Sequence, residues 1–93
     1  MIRENEIEGL KKRIGSNHIA KISIYFNQHM IFNKFNQPFS TTYISRVFNG
    51  NMPNKKVEDG IWRFAEDLKK QEERDAKRKA EILEPVKLPT DED

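Results

Sequence analysis

The stretch Ser40-Thr41-Thr42-Tyr43-Ile44-Ser45-Arg46-Val47-Phe48-Asn49-Gly50 limits the fold more than any other part of this chain. It reads as a short helix with both ends marked. Ser40 is a preferred N-cap residue, and Asn49-Gly50 supplies residue types that tolerate the left-handed turn closing a helix. Ile44, Val47 and Phe48 fall at i, i+3 and i+4 and form one apolar stripe. The opposite face carries Thr41, Thr42, Ser45, Arg46 and Asn49, which offer hydrogen-bonding groups and one cation but no carboxylate. Such a face has the chemistry to meet a phosphate backbone and base edges.

The rest of the pattern predicts an all-α small bundle of about four or five helices. Ile7, Leu10 and Ile14 give a stripe to a helix over Ile2–Ile14, with acids near its start and Lys11, Lys12 and Arg13 at its end. That distribution complements the helix dipole. The segment Asn17–Phe39 is ambiguous. Ile19, Ile22 and Phe26 suit a helix, whereas the alternation in Lys21–Phe26 equally suits a strand followed by a returning one. Two helices are the expectation, ended by Pro38, which restrains Gln37 from helical geometry. After a loop over residues 49–54, Val57, Ile61, Phe64, Ala65 and Leu68 mark a strongly amphipathic helix, with Trp62 on the edge of its stripe. Favourable i, i+4 pairs, Glu73 with Lys77 and Asp75 with Lys79, extend it towards Leu83. The expected organisation is therefore a domain over residues 1–68, a charged helical extension over 69–83, and a disordered acidic tail over 84–93.

Charge is distributed unevenly. The formal net charge is only +2, yet no Asp or Glu lies between Glu8 and Glu58. Lys11, Lys12, Arg13, Lys21, Lys34, Arg46, Lys55 and Lys56 all lie in that interval. A segment of this kind suits a polyanion, since each phosphate neutralised releases condensed counterions. The chain has no cysteine, which removes disulfides and thiolate metal sites and fits a cytoplasmic location. No apolar run approaches the roughly 18–20 residues that span a bilayer. His18 and His29 stand in no metal-ligand or triad spacing, and the four glycines form no phosphate loop. Neither an enzyme activity nor a cofactor, metal or small-molecule ligand is expected.

Tyr43-Ile44-Ser45-Arg46-Val47-Phe48-Asn49-Gly50 resembles the recognition helix of helix-turn-helix repressors of the lactose-repressor and lambda-repressor kinds, which often carry T-V-S-R-V-L-N-G. The likeness centres on 43–50 and extends loosely over 31–68. It implies sequence-specific binding of double-stranded DNA by a repressor-like transcriptional regulator, with a recognition helix over 40–49 in the major groove. Thr41, Thr42 and Arg46 would then face base edges, and Ser40, Tyr43, Ser45 and Asn49 phosphates or neighbouring bases. Lys34, Lys55 and Lys56 would anchor the backbone, while Phe39, Ile44 and Val47 hold the helix to the core. Repressors of this kind bind as dimers, so a homodimer is implied.

The first helix of the motif has two candidates. Ile31–Phe35 keeps the two helices adjacent and is preferred; His18–Ile22 requires an inserted hairpin or a lengthened helix. The turn glycine usual in the family is missing under both. Two other functions fit the same residues: a protein-interaction module of an antitoxin-like or phage-adaptor kind using the long last helix, and RNA binding with Tyr25, Phe32 and Tyr43 as stacking platforms.

Overall fold

The computed structural model describes residues 1–84 and contains four α-helices. These are α1 (Glu4–Ile14), α2 (His18–Gln28), α3 (Thr41–Phe48) and α4 (Lys55–Leu83). The all-α class is as expected, and the described residues form no strand beyond one isolated bridge between Phe32 and Pro38. The expected acidic tail lies, apart from Glu84, outside the described residues.

Each helix begins and ends for a local reason. Glu6 reaches back to accept the Arg3 backbone N–H at 2.9 Å, which starts α1 two residues later than the apolar pattern suggests. Gly15 and Asn17, both at positive φ, turn the chain into α2. The expected caps of α3 are present. Ser40 Oγ accepts from the Tyr43 N–H, and beyond Asn49 the chain closes in a paired turn. There Gly50 N–H donates to Val47 O and Asn51 N–H to Arg46 O, with Gly50 at φ 77°. Asn54 Oδ1 accepts from the Val57 N–H and opens α4.

The preferred reading of 31–39 is overturned. Ile31–Phe35 is not a helix, and α2 over His18–Gln28 is the helix that precedes α3. The reason is local. Met30 adopts φ 56°, and Met30 N–H and Ile31 N–H donate back to Asn27 O and Phe26 O, so α2 is closed before the segment begins. Asn33 then replaces helical bonding with its own, its Oδ1 accepting from the N–H groups of Phe35 and Gln37. The result is a tight loop inserted between α2 and α3, the arrangement that the His18–Ile22 alternative required.

One core joins the four helices. Ile2, Leu10, Ile14, Ile22, Phe26, Ile44, Val47, Phe48, Val57 and Ile61 are all buried. The whole stripe of α3 is at zero exposure, so this short helix can present only its polar face outward. Past Leu68 every described residue of α4 is exposed, and at about 1.5 Å per residue the 29-residue helix is about 43 Å long. Trp62 stays 41% exposed on its flank. Arg13 at the end of α1 holds Glu72 at 2.6 Å, and the buried Tyr25 of α2 donates its hydroxyl to Asp67 at 2.5 Å. Both bonds fasten the root of the extension to the globule.

At Gly60 the Phe26 ring of α2 packs directly against the backbone of α4. A Cβ there would lie 2.8 Å from the Phe26 ring, whereas at Gly9 it would meet nothing. An alanine in a helix interior gains about 0.5–1 kcal/mol over glycine, but overpacking a core costs about 1–3 kcal/mol. Gly9→Ala should therefore stabilise the fold by about 0.5–1 kcal/mol and Gly60→Ala should destabilise it by about 1–2 kcal/mol. Urea midpoints of the two variants measure this, and a Gly60→Ala midpoint above that of the parent would disprove the contact.

Candidate nucleic-acid interface

The outward face of α3 follows from its wheel. At about 100° per residue, Thr41, Ser45, Asn49, Thr42 and Arg46 span an arc of about 140° away from the buried stripe. Thr41, Thr42, Arg46 and Asn49 are exposed and Ser45 is half-buried. Thr41, Thr42, Ser45 and Arg46 line, with Ile19 from the first turn of α2, a shallow concavity of about 370 Å³. The three residues expected to face bases therefore sit side by side. Asn49 is partly committed to its own helix, since its Nδ2 donates to Ser45 O at 2.9 Å and Ser45 Oγ at 3.3 Å.

A second, larger groove of about 640 Å³ runs between the inserted loop and the amino ends of α3 and α4. Lys34, Ser40, Tyr43 and Lys56, four of the residues expected near the DNA backbone, line it together. Asn54 Nδ2 donates to the Tyr43 hydroxyl at 2.7 Å, so the oxygen is held and its hydrogen remains to donate elsewhere. Lys55 is not in this set. It is exposed, and its ammonium lies 3.3 Å from Asp59 one turn along α4. Among the described residues, no carboxylate lines either concavity.

Asn33, Phe35, Pro38 and Asn54 also line the groove and are not among the site residues expected from the sequence. The N-cap signal at Pro53-Asn54 could have located Asn54. Nothing in the local pattern could have located Phe35, because the loop fold alone brings it beside α3. The acid-free segment is also less uniform than its count of cations suggests: Arg13 is paired with Glu72, and Lys21 donates to Ile14 O at 3.2 Å. Among the described residues Lys34, Arg46 and Lys56 have no carboxylate partner.

The aromatic residues are mostly structural. Tyr25 is buried and packs at a tilt against both His29 and Phe64, with ring centroids 4.0 and 4.6 Å away, so it is not an exposed platform for a base. Burial and the bonded Asp67 push its hydroxyl up to about 12. Tyr43 stacks on Phe39 at 5.5 Å, and Phe39 meets Phe26 edge-on at 6.3 Å, so Phe39 couples α3 to the core. His18 packs against Phe48 at 4.7 Å. No model of a protein family matches the chain, and neither the curated proteins nor the solved structures contain a match to it.

His18 lies under the carboxyl end of α3, and its pKa is held below the ordinary 6.5 by burial first and by the Lys11 charge second. The unfolded chain takes up that proton more readily than the folded one. The stability supplied by neutral His18 is thus complete above about pH 6.5 and is lost as pH falls through the lower folded value. The melting temperature should fall between neutral pH and pH ~5. His18→Gln should flatten that slope, and an unchanged slope in the variant would exclude His18 as its source.

Proposed function

We propose that this protein binds double-stranded DNA sequence-specifically, with α3 lying in the major groove. The observation that carries the reading is the exposed arc of α3: hydroxyls and one guanidinium, without a carboxylate, on a helix whose entire underside is buried. An α-helix about 10–12 Å across fits a major groove about 12 Å wide. Arg46 is suited to a bidentate contact with guanine, and Thr41 and Thr42 to base edges or a thymine methyl group. In this reading α2 serves as the first helix of a helix-turn-helix whose turn is enlarged by the loop between α2 and α3.

Eight residues of helix are about 12 Å long, enough to follow about three or four base pairs. One copy therefore reads too little sequence for a unique site. A homodimer on a pseudo-palindrome, with half-sites about 34 Å apart or a multiple of that, supplies the remainder. In this reading the protein is a repressor-like transcriptional regulator.

A second reading, a protein-interaction module, is favoured by one observation. The extension of α4 past Leu68 is exposed throughout and ends in Ile82 and Leu83 at 70% and 80% exposure. The α3 arc has no role in that reading.

Selection from a random duplex pool separates the two. The expected result is enrichment of a palindromic consensus, with affinity falling steeply as salt rises. Arg46→Ala should lose about 1–3 kcal/mol of discrimination at one position of each half-site while leaving the fold intact. Enrichment of no sequence, together with unchanged nucleic-acid affinity in Arg46→Ala, would overturn the proposal.

A further inference from the structure

The groove between the inserted loop and the amino ends of α3 and α4 lies beside the face of α3 assigned above to the bases. We propose that it grips one sugar-phosphate strand of the same duplex, with Lys34 on the loop and Lys56 on α4 as its two phosphate-neutralising groups. The inserted loop is then a second DNA-contacting element rather than a connection between helices. This inference rests on the DNA-binding reading of α3.

Charge complementarity identifies the occupant. Both ammonium groups line the groove, neither has a carboxylate partner among the described residues, and none of the lining side chains is acidic. The other polar groups there are donors to an anion. The Tyr43 hydroxyl keeps its hydrogen while its oxygen accepts from Asn54, and Ser40 keeps its hydroxyl hydrogen while its oxygen caps α3. Half or more of the hydrogen bonds from proteins to DNA go to the sugar-phosphate backbone, from side chains of these types.

The loop is built to hold its tip still. Asn33 Oδ1 accepts two backbone N–H groups, Asn33 N–H donates to Gln37 O at 2.8 Å, and Asn36 N–H donates to Asn33 O at 2.8 Å. The tip presents Phe35 at 71% exposure, with the Lys34 ammonium 5.3 Å from its ring centroid. A cation and an apolar ring in one rigid unit match a phosphate and its adjoining deoxyribose, and little ordering remains to oppose binding.

The test compares Lys34→Gln, Lys56→Gln, Phe35→Ser and Arg46→Ala on the selected duplex and on a random-sequence duplex, after circular dichroism has shown each to be folded. Each lysine variant should bind both duplexes several-fold more weakly, and its log–log salt slope should shrink by about 0.9. Its selected consensus should not change. Hydroxyl-radical protection of one strand beside the consensus should be lost in Lys34→Gln and Phe35→Ser and kept in Arg46→Ala. Unchanged slopes and footprints in the lysine variants, with Arg46→Ala still relaxing sequence preference, would overturn the groove assignment and leave the reading of α3 standing. A parent protein that binds neither duplex would overturn both.

Discussion

The ring of Phe26 sits where four parts of the chain meet. Gly60 lets it approach the backbone of α4 more closely than any side chain at that position would allow. Its carbonyl accepts the Ile31 N–H that closes α2, and the Ile31 side chain reaches the same spot on α4. On the other side, Phe26 meets Phe39 edge-on, and Phe39 stacks on Tyr43 in the first turn of α3. The close approach of α2 to α4, the bond that closes α2 and the aromatic link through Phe39 to the first turn of α3 thus converge on this one residue. Aromatic pairs of this geometry contribute about 0.5–1.5 kcal/mol beyond their buried area, which is substantial in a domain this small.

Polar contacts then set the details that packing leaves open. Asn54 starts α4 through its Oδ1 and holds the Tyr43 hydroxyl through its Nδ2, so one side chain ties the beginning of α4 to α3. Carboxylates are used away from the two concavities: Glu72 takes Arg13, Asp67 takes Tyr25, and Asp59 takes Lys55. Among the described residues, the cations left without such partners include Lys34, Arg46 and Lys56, which line the two concavities beside α3. Uneven charge along the chain thus becomes uneven charge over the surface by selective pairing.

The sequence was legible where structure is decided within a few residues. The N-cap at Ser40, the turn at Asn49-Gly50 and the stripes of α1, α3 and α4 are each specified by residues a few positions apart in the chain. Residues 31–39 were not legible in the same way, because Ile31, Phe32 and Phe35 form a short apolar run that no periodicity can assign. The deciding signals were the two asparagines, Asn33 and Asn36, which favour side-chain turns and left-handed backbone. Met30 at positive φ could not be foreseen from its residue type, since that conformation is unfavourable for methionine and is held by the closing bonds of α2 and the packing of Ile31.

The site divides in the same way. The polar arc of α3 was determined by the sequence alone, because burial of Ile44, Val47 and Phe48 at helical spacing leaves Thr41, Thr42, Ser45, Arg46 and Asn49 only the outer face. Which residues gather beside that arc was decided by tertiary structure. Lys34, Phe35, Tyr43 and Lys56 share one groove although they come from a loop and two helices, whereas Lys55, next to Lys56 in the chain, is turned away to Asp59. Adjacency along the chain places a residue on a helix face. Only the crossing of one element by another, here around Phe26 and Gly60, determines which faces meet.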